Sequence, residues 1–231
     1  MTQLPPGDDD VLNLGTFADA LGTSLDDLDS EDVTLACFVV DASSSMAGVA
    51  SAVIDAYNAE LRALRGARTA TEILVSTTVF ADAPQCLHGY SKVADAPLLD
   101  GASYRPDGST ALYDAVLEAF TRLAAYRTLL LDNGVRSRAI VTVLSDGEDN
   151  VSKRRALDVK QAAARLAREE GTVLAFAAFG DPATRQALAG IATQLGFPSV
   201  ITASQSPAEI RRVLGQVSQS LARPAANAPW P

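Results

Sequence analysis

Residues 33–45, VTLACFVVDASSS, constrain the chain more than any other stretch. The run from Val33 to Val40 carries no charge and includes three valines and a phenylalanine. Such a run predicts a strand buried on both faces, the form found at the centre of a parallel sheet. It ends in Asp41, and an aspartate there lies where open α/β sheets hold their ligands. Ser43 and Ser45 follow at alternate positions on a turn, ahead of a helical pattern that opens near Met46. One carboxylate and two hydroxyls on a tight loop make a cluster of hard oxygens. That chemistry suits Mg²⁺, Mn²⁺ or Ca²⁺ rather than zinc.

The chain that follows alternates strands with helices. Val49, Val53, Ile54, Tyr57, Leu61 and Leu64 recur at helical spacing and stop at Gly66. Residues 72–80 are rich in Val, Ile and Thr and predict a strand, with residues 85–90 as a short antiparallel partner. Residues 112–131 predict a helix stopped by Asn133-Gly134. Residues 139–144 form a second apolar strand that runs into Ser145-Asp146-Gly147. A helix over 153–170, a third central strand over 172–179, a helix over 182–195 and a short strand over 199–202 complete the alternation. The last helix has a clear start: Ser206 at the N-cap, Pro207 in the first helical position and Glu209 three residues on from the cap. Its inner stripe is Ile210, Val213, Leu214, Val217 and Leu221.

This order predicts an α/β fold, three-layered and doubly wound in the Rossmann-like manner. The sheet is expected to be six-stranded and mostly parallel, with one short antiparallel edge strand and helices on both faces. Right-handed crossovers then bring the C-terminal ends of the first two apolar strands to one edge, Asp41 close to Asp146.

Charge divides the chain. Of a net −9, all lies in residues 1–32, which hold nine acids and no Lys or Arg; the remainder has 19 acids and 19 bases. Residues 1–32 are therefore expected to be an acidic, partly disordered extension, residues 33–221 the domain and residues 222–231 a flexible tail. Leu14, Phe17, Leu21, Leu25 and Leu28 recur at helical spacing inside the extension. Thr16 with Asp19, and Ser24 with Asp27, resemble capping boxes, so short turns packed on the domain are expected. No Lys/Arg cluster offers a nucleic-acid footprint, and no apolar run approaches the length of a membrane span. The N-terminus lacks the basic and apolar regions of a signal peptide. Two cysteines, Cys37 and Cys86, make no disulfide framework and are expected to be reduced thiols. The expectation is a cytoplasmic protein with neither nucleic acid nor membrane as partner.

Three separated pieces carry the chemistry: Asp41-Ala-Ser43-Ser-Ser45, Thr110 in DGSTALYDA, and Asp146 in LSDGEDN. In these pieces and their order the chain resembles the von Willebrand factor A (vWA) family, as a stand-alone bacterial-type member. That family's metal-ion-dependent adhesion site (MIDAS) is built from DxSxS, a distant threonine and an aspartate after a later core strand. The likeness runs from about residue 33 to residue 221. It implies that Ser43, Ser45 and Thr110 give hydroxyl oxygens to Mg²⁺, with Mn²⁺ or Ca²⁺ as alternatives, and that Asp41 and Asp146 bind directly or through water. Ala42 and Ser44 stand where the family commonly has glycine, and neither is a ligand position. Mg²⁺ takes six oxygens and keeps waters where protein ligands run out. A partner's Asp or Glu is then a favoured further ligand. The resemblance thus implies a non-enzymatic, Mg²⁺-dependent protein-binding module.

Simpler readings exist for each piece. Residues 43–45 could cap a helix, Thr110 could cap the helix that follows it, and Asp146-Gly147 could be an ordinary turn. Their meeting at one edge favours the metal site. Asp107, Glu148 and Asp149 read as solvated loop acids, and His88, the single histidine, as a surface residue. The alternative function is a metal-dependent hydrolase or phosphatase. Phosphoaspartyl chemistry would place a second aspartate where Ser43 stands, and no GxSxG elbow is present. A regulatory subunit of an AAA+ ATPase or stress-response complex is a further binding role, met among stand-alone bacterial members of the family.

Overall fold

The computed structural model describes residues 22–222. One sheet holds six strands: β1 (Asp32–Asp41), β2 (Ile73–Phe80), β3 (Pro84–Lys92), β4 (Arg136–Ser145), β5 (Thr172–Phe179) and β6 (Ser199–Ala203). Their spatial order is β3-β2-β1-β4-β5-β6, and only β3 runs antiparallel. Among the described residues five α-helices flank the sheet: α1 (Ala50–Arg65), α2 (Leu112–Asp132), α3 (Ala156–Leu166), α4 (Pro182–Gln194) and α5 (Pro207–Leu221). The expected doubly wound α/β architecture, with its antiparallel edge strand, is the observed one.

The uninterrupted apolar run of β1 is explained by its place between β2 and β4, covered on both faces. Val33, Leu35, Cys37 and Val39 enter one core together with residues of α2, α3 and α4. Ala36, Phe38 and Val40 enter a second core with residues of α1 and α5. Side chains alternate across a strand, so one sequence supplies both layers. Burial lifts the Cys37 thiol to about 12, and both cysteines are free.

Several boundaries differ from the sequence reading for local reasons. The turn after Asp41 is first a 3-10 segment, Ser44–Val49, and α1 starts only at Ala50. The helix expected over 153–170 is confined to Ala156–Leu166. Its front is held out of helical geometry because Asp114 accepts hydrogen bonds from the backbone N–H groups of Lys153 (3.0 Å) and Arg154 (2.8 Å). At its far end Gly171 takes φ +72°, ending the turn before β5. β4 begins three residues earlier than its apolar stretch, with Arg138 buried beneath α5 and donating to Thr34 Oγ1 and to the Leu221 carbonyl. Asn133-Gly134 does stop α2, with Gly134 at φ +78°. α5 starts as read: the Ser206 hydroxyl accepts the Glu209 N–H at 3.3 Å.

Ahead of β1, Thr23 donates its N–H to the Tyr90 carbonyl (2.6 Å), and the Tyr126 hydroxyl donates to the Thr23 carbonyl. Leu25 and Leu28 pack against the first core. Leu25–Asp27 is a 3-10 turn, but the Ser24 side chain makes no capping bond there. Leu14, Phe17, Leu21 and the Thr16–Asp19 pair lie outside the described residues, as do residues 223–231. His88 is half-buried on β3, not a surface residue, with Nδ1 2.9 Å from the Gly89 carbonyl. No helix among the described residues is long and apolar enough to cross a membrane.

The long connection from β3 to α2 has no strand or helix of its own, yet it carries Thr110. α1 fastens it. Buried Asn58 donates to the Leu99 carbonyl and accepts the Leu99 N–H, each at 2.8 Å. Arg65 donates to the carbonyls of Val93 (2.9 Å) and Ala96 (2.5 Å). Replacing Asn58 with Ala leaves both Leu99 backbone groups buried and unmatched. Asn58→Ala is therefore expected to lower unfolding free energy by about 2 kcal/mol. Urea denaturation measures it, and a cost within about 0.5 kcal/mol, as for an ordinary surface change, would show that the connection is anchored elsewhere.

Candidate metal centre

Asp41 is the last residue of β1 and Ser145 the last of β4. Val40 pairs with Leu144 across these neighbouring parallel strands, so Asp41 and Ser145 leave the sheet side by side. The Asp41 carboxylate is wholly buried. Its Oδ1 accepts the Ser43 N–H at 2.8 Å and its Oδ2 accepts the Ser145 hydroxyl at 2.5 Å. The Asp41 carbonyl accepts the hydroxyl of buried Tyr104 at 2.7 Å.

Ser43 is buried and Ser45 exposed, and their hydroxyls share a hydrogen bond of 3.1 Å. The Ser45 hydroxyl donates to Asp146 Oδ1 at 2.7 Å. Asp146 Oδ2 accepts the side-chain amide of Gln205. Asp41, Ser43, Ser45 and Asp146 thus form one connected group at the top edge of the sheet. Thr110 joins it from the side: a Cβ built on Gly147 would lie 3.2 Å from Thr110 Oγ1, so that hydroxyl abuts the residue after Asp146. All five residues expected from the sequence are therefore brought to one edge.

The loops that carry them are tied to one another. Ser44 donates its N–H to the Gly108 carbonyl, and Asp107 donates its N–H to the Ala42 carbonyl. Thr110 and Asn150 exchange two bonds: the Thr110 N–H reaches Asn150 Oδ1 (2.8 Å) and the Asn150 N–H reaches the Thr110 carbonyl (3.0 Å). Asp82, just after β2, accepts the Ser109 N–H at 2.7 Å. Gly108 faces that carboxylate at φ +79°, where a Cβ would come within 2.8 Å of it.

Some sequence readings change here. Asp149 is no solvated acid: it accepts the Tyr113 N–H at 3.1 Å, and Ser152, bonded to Asp149, accepts the Asp114 N–H. These two side chains satisfy free N–H groups in the first turn of α2, a task the sequence reading gave as one option for Thr110. The N-cap position of α2 is Ala111, and neither Ser43 nor Ala111 makes a side-chain cap. Glu148 is exposed as expected, and Asp107 is exposed too, its carboxylate accepting only the neighbouring Gly108 N–H. Ser145, Gln205 and Tyr104 were missed. Ser145 had a readable signal, since it immediately precedes Asp146 at a strand end; the other two had none.

Burial pushes the Asp41 carboxyl up, the Asp146 charge adds to the rise, and bonds from Ser145 and Ser43 oppose it. Burial likewise raises Asp146, against bonds from Ser45 and Gln205. The hydrogen-bond donors to the pair are neutral: hydroxyls, backbone N–H groups and one amide. Tyr104 is pushed far up by burial and by both carboxylates, and so stays protonated as a donor. Among the described residues no group of three or more His, Cys, Asp or Glu side chains is placed to hold a metal ion. The donor set is instead two carboxylates with three hydroxyls, oxygens only, which fits a hard divalent cation.

The raised carboxyls have a consequence for stability. A folded-state pKa above the unfolded value means that the native state binds the proton more tightly. Stability from that group is then present at low pH and lost as pH rises through the folded pKa. Asn at position 41 keeps an oxygen for the Ser43 N–H, and the Ser145 hydroxyl can turn to accept from its amide. Without divalent metal at pH 7, Asp41→Asn is expected to unfold at a higher temperature than the wild type. A lower melting temperature would show that the ionised carboxylate stabilises the metal-free fold.

The sequence model of the von Willebrand factor type A domain matches residues 37–215. No curated protein matches the chain. Solved structures share the fold at low identity. The PilB minor pilin of Streptococcus sanguinis, as its D319A mutant, aligns with a TM-score of 0.60 and 11% identity over 85% of this chain and 63% of its own. The pilus adhesin SpaC of Lactobacillus rhamnosus GG, in its open conformation, gives 0.61 and 14% over 84% of this chain and 30% of its own. This chain thus spans only part of the length of both. Proximal thread matrix protein 1 of the mussel byssus, with a zinc-occupied MIDAS motif, gives 0.52 and 17% over 84% of this chain and 48% of its own.

Proposed function

The chain belongs to the von Willebrand factor type A domain family, and on that premise we propose that it is a protein-binding module whose binding site is a divalent cation at the β1–β4 edge. The observation that carries the proposal is the pair of carboxylates, Asp41 and Asp146, linked by way of Ser43 and Ser45 and held by neutral donors. Two such groups at close range repel, and a cation between them removes the repulsion. Asp41, Ser43, Ser45, Thr110 and Asp146 would hold the ion, Mg²⁺ first, with Mn²⁺ or Ca²⁺ as alternatives. The bound ion supplies a Lewis-acidic position open to one more oxygen, and a carboxylate from an Asp or Glu of a partner protein fits it by charge and hardness. Exposed Ser45 marks the side from which that carboxylate approaches.

Binding rather than turnover is favoured by the residues present. Ser43 occupies the position where a phosphoaspartyl mechanism needs a second acid, and the single histidine lies on β3, away from this edge's residues in the chain. The pilin and adhesin neighbours support a binding role. Residues 33–221 are taken as the binding domain, with residues 1–32 and 222–231 as its flanks.

Titration calorimetry with Mg²⁺, Mn²⁺, Ca²⁺ and Zn²⁺ tests the proposal, zinc being included because the mussel protein's motif holds it. One ion per chain is expected. At a concentration a hundredfold above Kd it should add about 2.7 kcal/mol to stability. Asp41→Ala should abolish both signals, and equal responses in the two proteins would overturn the assignment. An acidic peptide should then bind only in the presence of the metal, whereas phosphoester turnover would indicate a hydrolase.

A further inference from the structure

Gln205 sits at the corner between β6 and α5, one residue past Ser204 and one before the helix cap Ser206. The corner is well held. The Ala203 carbonyl accepts the Gly180 N–H at 3.2 Å, and the Ser204 hydroxyl donates to Ser206 Oγ at 3.3 Å. Ser206 in turn caps α5. From this fixed backbone the Gln205 side chain crosses to Asp146 and donates its amide to Oδ2. The other oxygen, Oδ1, is the one bonded to Ser45.

The last torsion of an aspartate is soft and roughly two-fold, so one hydrogen bond leaves a carboxylate free to swing. Two bonds on opposite oxygens fix it. The same division holds at Asp41, where Ser145 takes Oδ2 and the Ser43 N–H takes Oδ1. Asp146 lies one residue past the end of β4, and its outer bond comes from the corner between β6 and α5. We propose that Gln205 is a positioning residue of the metal centre: it pins Asp146 Oδ2 and keeps Oδ1 turned toward Ser45 and the cation. The residue type matters. A Lys or Arg reaching the same oxygen would also orient it, but would neutralise the carboxylate and compete with the ion. A carboxamide orients without adding charge. Asparagine, one methylene shorter, does not span the gap.

This inference rests on the proposed metal centre, and Mn²⁺ affinity of the full chain, read by calorimetry and by the electron paramagnetic resonance of bound Mn²⁺, separates the two. Outer-shell partners of this kind typically contribute 10- to 100-fold in metal affinity. Gln205→Ala is expected to weaken Mn²⁺ about tenfold, with a broadened resonance and a metal-free melting temperature close to wild type. Gln205→Asn should match the Ala variant. Gln205→Lys should bind Mn²⁺ more weakly than either while melting no lower than the Ala variant without metal. A helix-anchoring role alone would instead lower the metal-free melting temperature of Gln205→Ala and leave Mn²⁺ affinity unchanged. That result, with Asp41→Ala unable to bind, would overturn the role of Gln205 and leave the metal centre standing. A wild type that binds no Mn²⁺ would overturn both.

Discussion

Two carboxylates at the end of a buried strand pair set the terms for the rest of this molecule. Asp41 is buried outright and Asp146 nearly so, and their connection runs through Ser43 and the Ser45 hydroxyl. Burying charge costs stability unless it is paired. Here the hydrogen-bond partners are hydroxyls, a backbone N–H and an amide, which satisfy lone pairs without supplying positive charge. Both carboxyls are accordingly pushed up, by burial first. A fold selected for stability alone would place a hydrophobic pair, or an Arg, at this edge. On the proposed reading, the arrangement leaves the negative charge available to a cation.

Such a site has to be held open against its own repulsion, and the structure does this with bonds between loops as well as within them. The β1 turn is tied to the Gly108 segment, Thr110 to Asn150, the first turn of α2 to Asp149 and Ser152, and the front of α3 to Asp114. Tyr104 reaches back to the carbonyl of Asp41 itself. Each tie crosses between elements distant in sequence, so no single loop can relax the carboxylates apart without breaking a neighbour's bonds. Underneath, α1 fixes the unstructured connection through Asn58 and Arg65. The hydroxyls and carboxylates are thus placed by rigid elements on either side of β1.

The parts of this that could be read from the chain are those governed by local periodicity. The charge-free run into Asp41 implied a central strand, and strand–helix alternation implied the parallel neighbour that brings Asp146 alongside. The cap of α5 was legible because Ser206, Pro207 and Glu209 act on adjacent backbone. What escaped was non-local. Asp149 looked like a solvated acid because its partner, the Tyr113 N–H, is 36 residues away. The helix expected from residue 153 was shortened by a carboxylate on α2, which periodicity does not see. Gln205, in the run ASQSP, carried no spacing or pattern at all. The role proposed for it follows from the topology that lays β6 and the start of α5 toward the same edge.

The division of labour between the two sheet faces follows from the same constraint. Alternate residues of β1 feed two cores, one shared with residues of α2, α3 and α4 and the other with residues of α1 and α5. Apolar burial at roughly 25 cal/mol per Å² makes these two layers the main source of favourable energy. An unfavourable term at the sheet edge is tolerable because it is confined to a few residues beyond Val40 and Leu144, the last core positions within β1 and β4 themselves. Had the carboxylates stood one residue earlier, they would have entered the packed layers and disturbed both. Placed one residue later, they would have lost the strand register that sets Asp41 beside Ser145. The ends of β1 and β4 are where a costly pair of like charges is both rigidly positioned and still within reach of solvent through Ser45.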